Sequence, residues 1–179
     1  MMVFNIKFTI KTSDQDKKNI DNILENNQLK EKKLVIINPS TSNPKKNWSE
    51  NYFAKVGDWI NINTEAKVLL VGSRRDYNKV ERIINNMDNR AYNLAGQTNL
   101  KELTVLIKQA NLLITGDTAA MHIGMTVGTS LVSLFGPTSP ERYGPYLGEN
   151  IVIKSSGDNI NTIKAAKVIR GIKQILNKK

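Results

Sequence analysis

Leu112-Leu113-Ile114-Thr115-Gly116-Asp117-Thr118-Ala119-Ala120-Met121-His122 is the stretch on which the fold turns. An apolar strand runs through a turn of small residues straight into a helix. A strand that feeds a helix in this way belongs to a parallel sheet, because parallel neighbours need a crossover connection and a helix is the usual one. The same alternation extends outward in both directions. Short β-branched runs at 33–38, 67–72, 91–94, 112–115, 130–135 and 150–154 read as strands, and their near-continuous apolar character suits burial on both faces. Between them, helical periods occupy 49–62, 76–87, 99–110 and 118–127, and a closing helix is expected at 161–176. In that last segment Ile163, Ala166, Val168, Ile169, Ile172, Ile175 and Leu176 recur at steps of three and four. The fold class is α/β.

Residues 1–32 differ in kind. Val3 to Ile10 alternates apolar with polar, Ser13-Asp14 offers a helix cap, and 14–29 is a charged helical pattern with sparse apolar positions. The segment reads as a connector, which places the main domain at 33–179.

Composition bounds what such a sheet can do. The chain has 179 residues, 40% hydrophobic and 23% charged, enough for one compact domain and too few for two complete ones. It contains no Cys, which removes disulfides, thiolate metal sites and Cys nucleophiles, and fits a cytoplasmic setting. Runs such as Leu34-Val35-Ile36-Ile37 are far shorter than the roughly 20 residues a membrane span needs. The net charge of +10 suits an anionic partner without naming one, and much of it lies in scattered lysines that a solvated surface explains. No dinucleotide fingerprint G-x-G-x-x-G follows any strand, which argues against a nicotinamide oxidoreductase. No helix gathers Lys and Arg on one face with interleaved aromatics, so no nucleic-acid partner is expected.

Open parallel sheets bind ligands at the carboxyl ends of their strands, so the strand-to-helix junctions hold the candidate site. At Thr115–His122, the backbone N–H groups of Ala119, Ala120 and Met121 and the helix dipole offer an anion site. His122, four residues after Thr118, lies on the same helix face and is a candidate donor to a phosphate or sugar oxygen. The competing reading has Asp117 capping the helix and His122 packed under the sheet. After the first core strand, Asn38-Pro39-Ser40-Thr41-Ser42-Asn43-Pro44-Lys45-Lys46-Asn47-Trp48 offers hydroxyls, amides and paired lysines for phosphate oxygens. Trp48 there reads equally as a core anchor. Val71-Gly72-Ser73-Arg74-Arg75-Asp76 brings a carboxylate that either holds a ribose hydroxyl or caps the next helix, and Leu134-Phe135-Gly136-Pro137-Thr138-Ser139-Pro140 is a fixed turn whose Thr138 can meet a ligand.

Taken in order, these segments, with Lys46-Asn47-Trp48-Ser49-Glu50-Asn51-Tyr52-Phe53 and Asn93-Leu94-Ala95-Gly96-Gln97-Thr98-Asn99-Leu100-Lys101-Glu102-Leu103, resemble the ADP-heptose:lipopolysaccharide heptosyltransferases, glycosyltransferase family nine. The resemblance runs strongly from Leu34 to Tyr146. It implies a Rossmann-like parallel sheet with helices on both faces, forming the C-terminal, donor-binding lobe of a GT-B enzyme, with residues 1–32 similar to the inter-lobe connector. It further implies that Lys46 meets the donor diphosphate, that Thr41 and Ser42 line its cradle, and that Asp76 faces the ribose. Asp117, Thr118, Ala119 and His122 would surround the diphosphate and the transferred sugar, with Ala120, Gly72, Gly136 and Thr138 completing the donor site.

The implied reaction is inverting heptosyl transfer in lipopolysaccharide core biosynthesis, with an ADP-heptose-like nucleotide-sugar as donor and no cofactor or metal. The catalytic base is expected in an N-terminal lobe outside this sequence, so no catalytic residue is assigned here and the chain alone is expected to be inactive. The lipopolysaccharide core acceptor would be met through that lobe, in the cytoplasm or peripherally at the inner membrane. A noncatalytic nucleotide-sugar-binding or scaffold protein derived from the lobe is the alternative. Two departures stand out: many members carry Gly where Ala119 stands, and Pro after the tryptophan where Ser49 stands. Lys46 is expected to be exposed, so that its loss would leave stability nearly unchanged.

Overall fold

A computed structural model describes residues 10–176. The alternating segment at 3–10 therefore lies outside the described residues except for Ile10. Six strands form one sheet: β1 (Leu34–Asn38), β2 (Lys67–Leu70), β3 (Ala91–Asn93), β4 (Leu112–Gly116), β5 (Leu131–Phe135) and β6 (Asn150–Lys154). They lie in the order β3-β2-β1-β4-β5-β6, and every pair is parallel. The order reverses direction between β1 and β4, the point at which doubly wound sheets open a crevice.

Strand side chains alternate between two cores, as period-2 geometry demands. Val35 and Ile37 of β1, with Val68, Leu70, Leu112 and Ile114, face α2 (Glu50–Asn63), α3 (Tyr77–Asn85) and α7 (Ala165–Leu176). Leu34 and Ile36, with Leu69, Leu113 and Leu131, face α1 (Asp14–Asn26), α4 (Leu100–Gln109) and α5 (Ala119–Val127). Helix α1 starts with a capping box: Asp16 N–H donates to Ser13 Oγ (3.2 Å), and Ser13 N–H donates to Asp16 Oδ2 (2.8 Å). The text Asp14-Gln15-Asp16 is thus a helix start. The helix packs against α4 and buries Ile20 and Leu24 in the core that α4 and α5 share, so the proposed connector supplies part of one helical layer.

Boundaries differ from the sequence reading where turns intervene. The closing helix begins at Ala165, because Asn159 caps a separate 3-10 turn over Ile160–Thr162; Ile163 nonetheless stays in the core. A 3-10 turn at Arg74–Asp76 precedes α3, another at Pro44–Lys46 precedes α2, and the short α6 (Pro140–Tyr143) occupies part of the expected turn. Ser49 is the N-cap of α2 but makes no side-chain capping bond, so having serine there adds no cap.

Helix α5 lies very close to the sheet because Gly124 has no side chain. A Cβ there would come within 2.7 Å of Leu131 Cδ2 and 2.9 Å of Leu113 Cδ2. Gly124→Val is expected to cost about 1–3 kcal/mol through overpacking, despite a gain in helix propensity. A melting temperature at or above that of the parent chain would contradict this packing.

Candidate functional site

A cleft of about 650 Å³ opens at the carboxyl edge of the sheet, at the β1/β4 reversal. Four junctions wall it: Asn38 and Ser40–Ser42 after β1, Val71–Asp76 after β2, Thr98–Leu103 after β3, and Asp117–Ala120 after β4. Of the residues anticipated for the donor site, it gathers Thr41, Ser42, Gly72, Asp76, Asp117, Thr118, Ala119 and Ala120. His122 is exposed and faces a separate apolar groove with Leu100, Ala119, Ile123 and Tyr146, so it neither lines the cleft nor packs under the sheet. Lys46, Gly136 and Thr138 also lie off the cleft wall, Lys46 being tied to it through Asp117. Gly136 abuts Ile160, where a Cβ would stand 2.8 Å from that residue's Cβ, and its carbonyl accepts from Lys154 Nζ and from Ser155 Oγ.

At the β1/β4 end, Lys46 Nζ donates to Asp117 Oδ2 at 2.6 Å, with the two side chains 21% and 11% exposed. Asp117 is therefore a counter-ion and not a helix cap, and Lys46 is far less exposed than its sequence context suggests. The N-cap of α5 is Thr118, whose side chain makes no capping bond. Met121 N–H is taken by the Thr118 carbonyl at 3.1 Å, so of the three N–H groups expected to bind an anion only two stay available. Among the described residues, neither Ala119 nor Ala120 N–H meets an acceptor. Unengaged donors at a helix start are groups suited to an anion.

The loop that carries Lys46 is held from several directions. Asn47 Oδ1 accepts from Thr41 N–H at 3.0 Å, and Thr41 Oγ1 donates to the Asn43 carbonyl at 2.6 Å. Lys79 Nζ donates to the Pro39 carbonyl at 2.8 Å; burial pulls this ammonium's pKa down, and the carboxylates of Glu50 and Asp76 offset that in part. Trp48, 3% exposed, anchors the end of the loop: its indole N–H donates to the Ile163 carbonyl at 2.8 Å, and its ring meets Phe53 edge-on at 4.8 Å.

At the far end of the cleft stands Asp76. Its Oδ2 accepts from Ser73 N–H (2.8 Å) and Ser73 Oγ (2.6 Å), so the carboxylate closes the 3-10 turn at Arg74–Asp76 and makes no side-chain capping bond to α3, while it lines the cleft. Burial opposes ionisation, but the Ser73 hydroxyl, the adjacent Ser40 hydroxyl (not aligned for a regular hydrogen bond), Ser73 N–H and the Lys79 charge outweigh it and hold the carboxyl below its ordinary value. A lowered folded pKa stabilises above the unfolded value of about 3.9, and that contribution is lost as pH falls through the folded value. In Ser73→Ala the carboxyl of Asp76, followed by NMR, should titrate at a higher pH than in the parent; an unmoved midpoint would remove Ser73 as its main support.

Arg75, shortly after β2, and Leu103, on the first turn of α4, also stand on the wall although the sequence gives neither a role, and Asn38, read from the sequence only as one of the amides of its loop, stands there at the end of β1. Among the described residues no group of three or more His, Cys, Asp or Glu side chains gathers as a metal centre would require, and no helix is long and apolar enough to cross a membrane.

The family model for glycosyltransferase family 9 (heptosyltransferase) matches residues 5–172. The chain belongs to glycosyltransferase family 9. Lipooligosaccharide heptosyltransferase 2 of Haemophilus influenzae is 35% identical over 114 residues, which cover 62% of this chain and 32% of that protein. The lipopolysaccharide core heptosyltransferase OpsX of the same organism is 29% identical over 155 residues, covering 86% of this chain and 43% of that one. The chain thus spans less than half the length of these family 9 relatives. In structure, a family 9 glycosyltransferase from Veillonella parvula superposes with a TM-score of 0.90 at 24% identity, over 98% of this chain and 55% of that one. Escherichia coli heptosyltransferase WaaC, solved with ADP, superposes with a TM-score of 0.73 at 16% identity, over 80% of this chain and 44% of that one. These likenesses assign the sheet and its helices to the fold of the GT-B heptosyltransferases.

Proposed function

We propose that this chain is the donor-binding lobe of an inverting heptosyltransferase of lipopolysaccharide core assembly, and that its cleft takes an ADP-heptose-like nucleotide-sugar. The observation that carries the reading is the convergence, at one end of a single cleft, of Asp117, which holds the Lys46 ammonium from behind the wall, and the unengaged N–H groups of Ala119 and Ala120, with the Asp76 carboxylate at the other end. A nucleoside diphosphate has that layout: phosphates to meet cation and amides, and ribose hydroxyls to donate to a carboxylate. The family 9 relative solved with ADP supports the choice of base.

The chain's own part in transfer is to neutralise the departing diphosphate. Lys46 and the start of α5 are aimed at charge that grows as the glycosidic bond breaks, which is where preorganised donors accelerate most. The proton of the attacking acceptor hydroxyl goes to a base on the acceptor lobe, and the acceptor is the lipopolysaccharide core at the cytoplasmic face of the inner membrane, where a net charge of +10 favours an anionic surface. Both are parts of this proposal that lie beyond the chain.

Calorimetry with ADP, ADP-heptose, UDP-glucose and NAD tests the reading. Binding of the ADP compounds ahead of UDP-glucose is the expected result. Heat from NAD with none from ADP or ADP-heptose would overturn it.

A further inference from the structure

The N-cap of α5 holds its hydroxyl in an unusual place. Thr118 has extended backbone (φ −145°, ψ 170°), as an N-cap residue does, and a threonine there ordinarily accepts from the N–H two or three residues on. Here the hydroxyl is turned the other way. Asn38 Nδ2 donates to Thr118 Oγ1 at 3.2 Å and to Thr115 Oγ1 at 3.2 Å, while the two threonine hydroxyls stand 3.0 Å apart. Thr115 Oγ1 donates to the Gly116 carbonyl at 3.2 Å, so the proton between the threonines is supplied by Thr118. Asn38 is 8% exposed and Thr115 is fully buried, so the inner side of the cluster is closed to water, while half-buried Thr118 borders the cleft. With its proton given to Thr115 and its oxygen engaged by Asn38, the Thr118 hydroxyl is kept away from Ala120 N–H.

We infer that Asn38 is a positioning residue that keeps α5 uncapped: by holding the Thr118 hydroxyl it reserves the first N–H groups of the helix for a phosphate ligand. The inference rests on the functional reading above for the identity of that ligand, but its structural half is independent of it. A helix start that is capped by its own threonine has already used the donor an anion needs. Removing Asn38 frees Thr118 to rotate about one bond and cap Ala120, and the ligand must then displace an internal hydrogen bond.

The test compares the parent chain with Asn38→Ala by amide hydrogen exchange without ligand, and by calorimetry with adenosine and ADP. In Asn38→Ala the Ala120 amide should exchange more slowly than in the parent, ADP affinity should fall about tenfold, the loss of one charge-assisted hydrogen bond, and any adenosine affinity should hold. Should Asn38→Ala fail to fold, Asn38→Ser, which lacks the amide that reaches both threonines, gives the same comparison. Unchanged exchange at Ala120 would overturn the inference, whatever happens to ADP. Equal losses for adenosine and ADP would also overturn it, since the whole cleft would then have been damaged. If the parent binds no ADP, the functional reading fails, while the exchange at Ala120 still decides what Asn38 does.

Discussion

In Lys46→Ala, ADP affinity is expected to fall about tenfold or more, because the substitution both removes a cation and exposes an anion. Lys46 and Asp117 neutralise each other across 2.6 Å. An arriving diphosphate shares the ammonium; without it, the phosphates meet the Asp117 carboxylate alone. Two like charges 4 Å apart near a protein surface repel by about 4 kcal/mol. Asp117→Asn should therefore act in the opposite direction on free ADP, holding or tightening its binding, because the competitor for Lys46 has gone. The pairing also changes the expected cost in stability. A lysine on an open loop would be dispensable, but this one is 21% exposed and its loss strands a carboxylate that is 11% exposed. A loss of about 1–3 kcal/mol is expected in Lys46→Ala, visible as a lowered melting temperature. An unaltered dissociation constant for ADP in Lys46→Ala would move the phosphate contact to Lys45 or remove it from this loop.

Trp48→Ala should have the largest effect on stability of any single change near the site, about 3–5 kcal/mol. The ring is almost fully buried, packs against Tyr52 and Phe53, and its N–H satisfies the Ile163 carbonyl where the chain turns toward α7. Its loss leaves both a cavity and an orphaned carbonyl. Because Trp48 ends the loop that carries Lys46, ADP affinity should fall as well, at temperatures where the variant is still folded. Trp48→Phe separates the two contributions: it restores most of the packing but not the N–H, so it should cost about 1–2 kcal/mol and bind ADP nearly as the parent does. A Trp48→Ala variant that melts like the parent would show that the loop is held from elsewhere, by Lys79 on the Pro39 carbonyl or Asn47 on Thr41 N–H.

Much of this architecture is legible in the one-dimensional text. Leu34 to Ile37 and Leu112 to Ile114 are apolar at every position, which suits strands covered on both faces, and their alternation with helical periods argues for a parallel sheet between helical layers. Ser13 and Asn99, each with an acidic residue three positions on, mark the starts of α1 and α4 by local chemistry. The strand-end junctions likewise locate the ligand edge, because in such sheets that edge is always at the carboxyl ends.

Spacing along the chain could not supply the strand order, and the site depends on that order. Only with β1 beside β4 do Lys46 and Asp117, 71 residues apart, form an ion pair, and Asn38 and Thr118, 80 apart, share a proton network. The same placement decides that Asp117 is a counter-ion rather than a cap and that His122, on the helix turn expected to face the ligand, opens onto the neighbouring apolar groove. Helical and strand periods report which residues share a face of their own element. Which loops meet across a sheet is settled by how hydrophobic faces pack in three dimensions, and there tertiary structure alone decided the chemistry of the cleft.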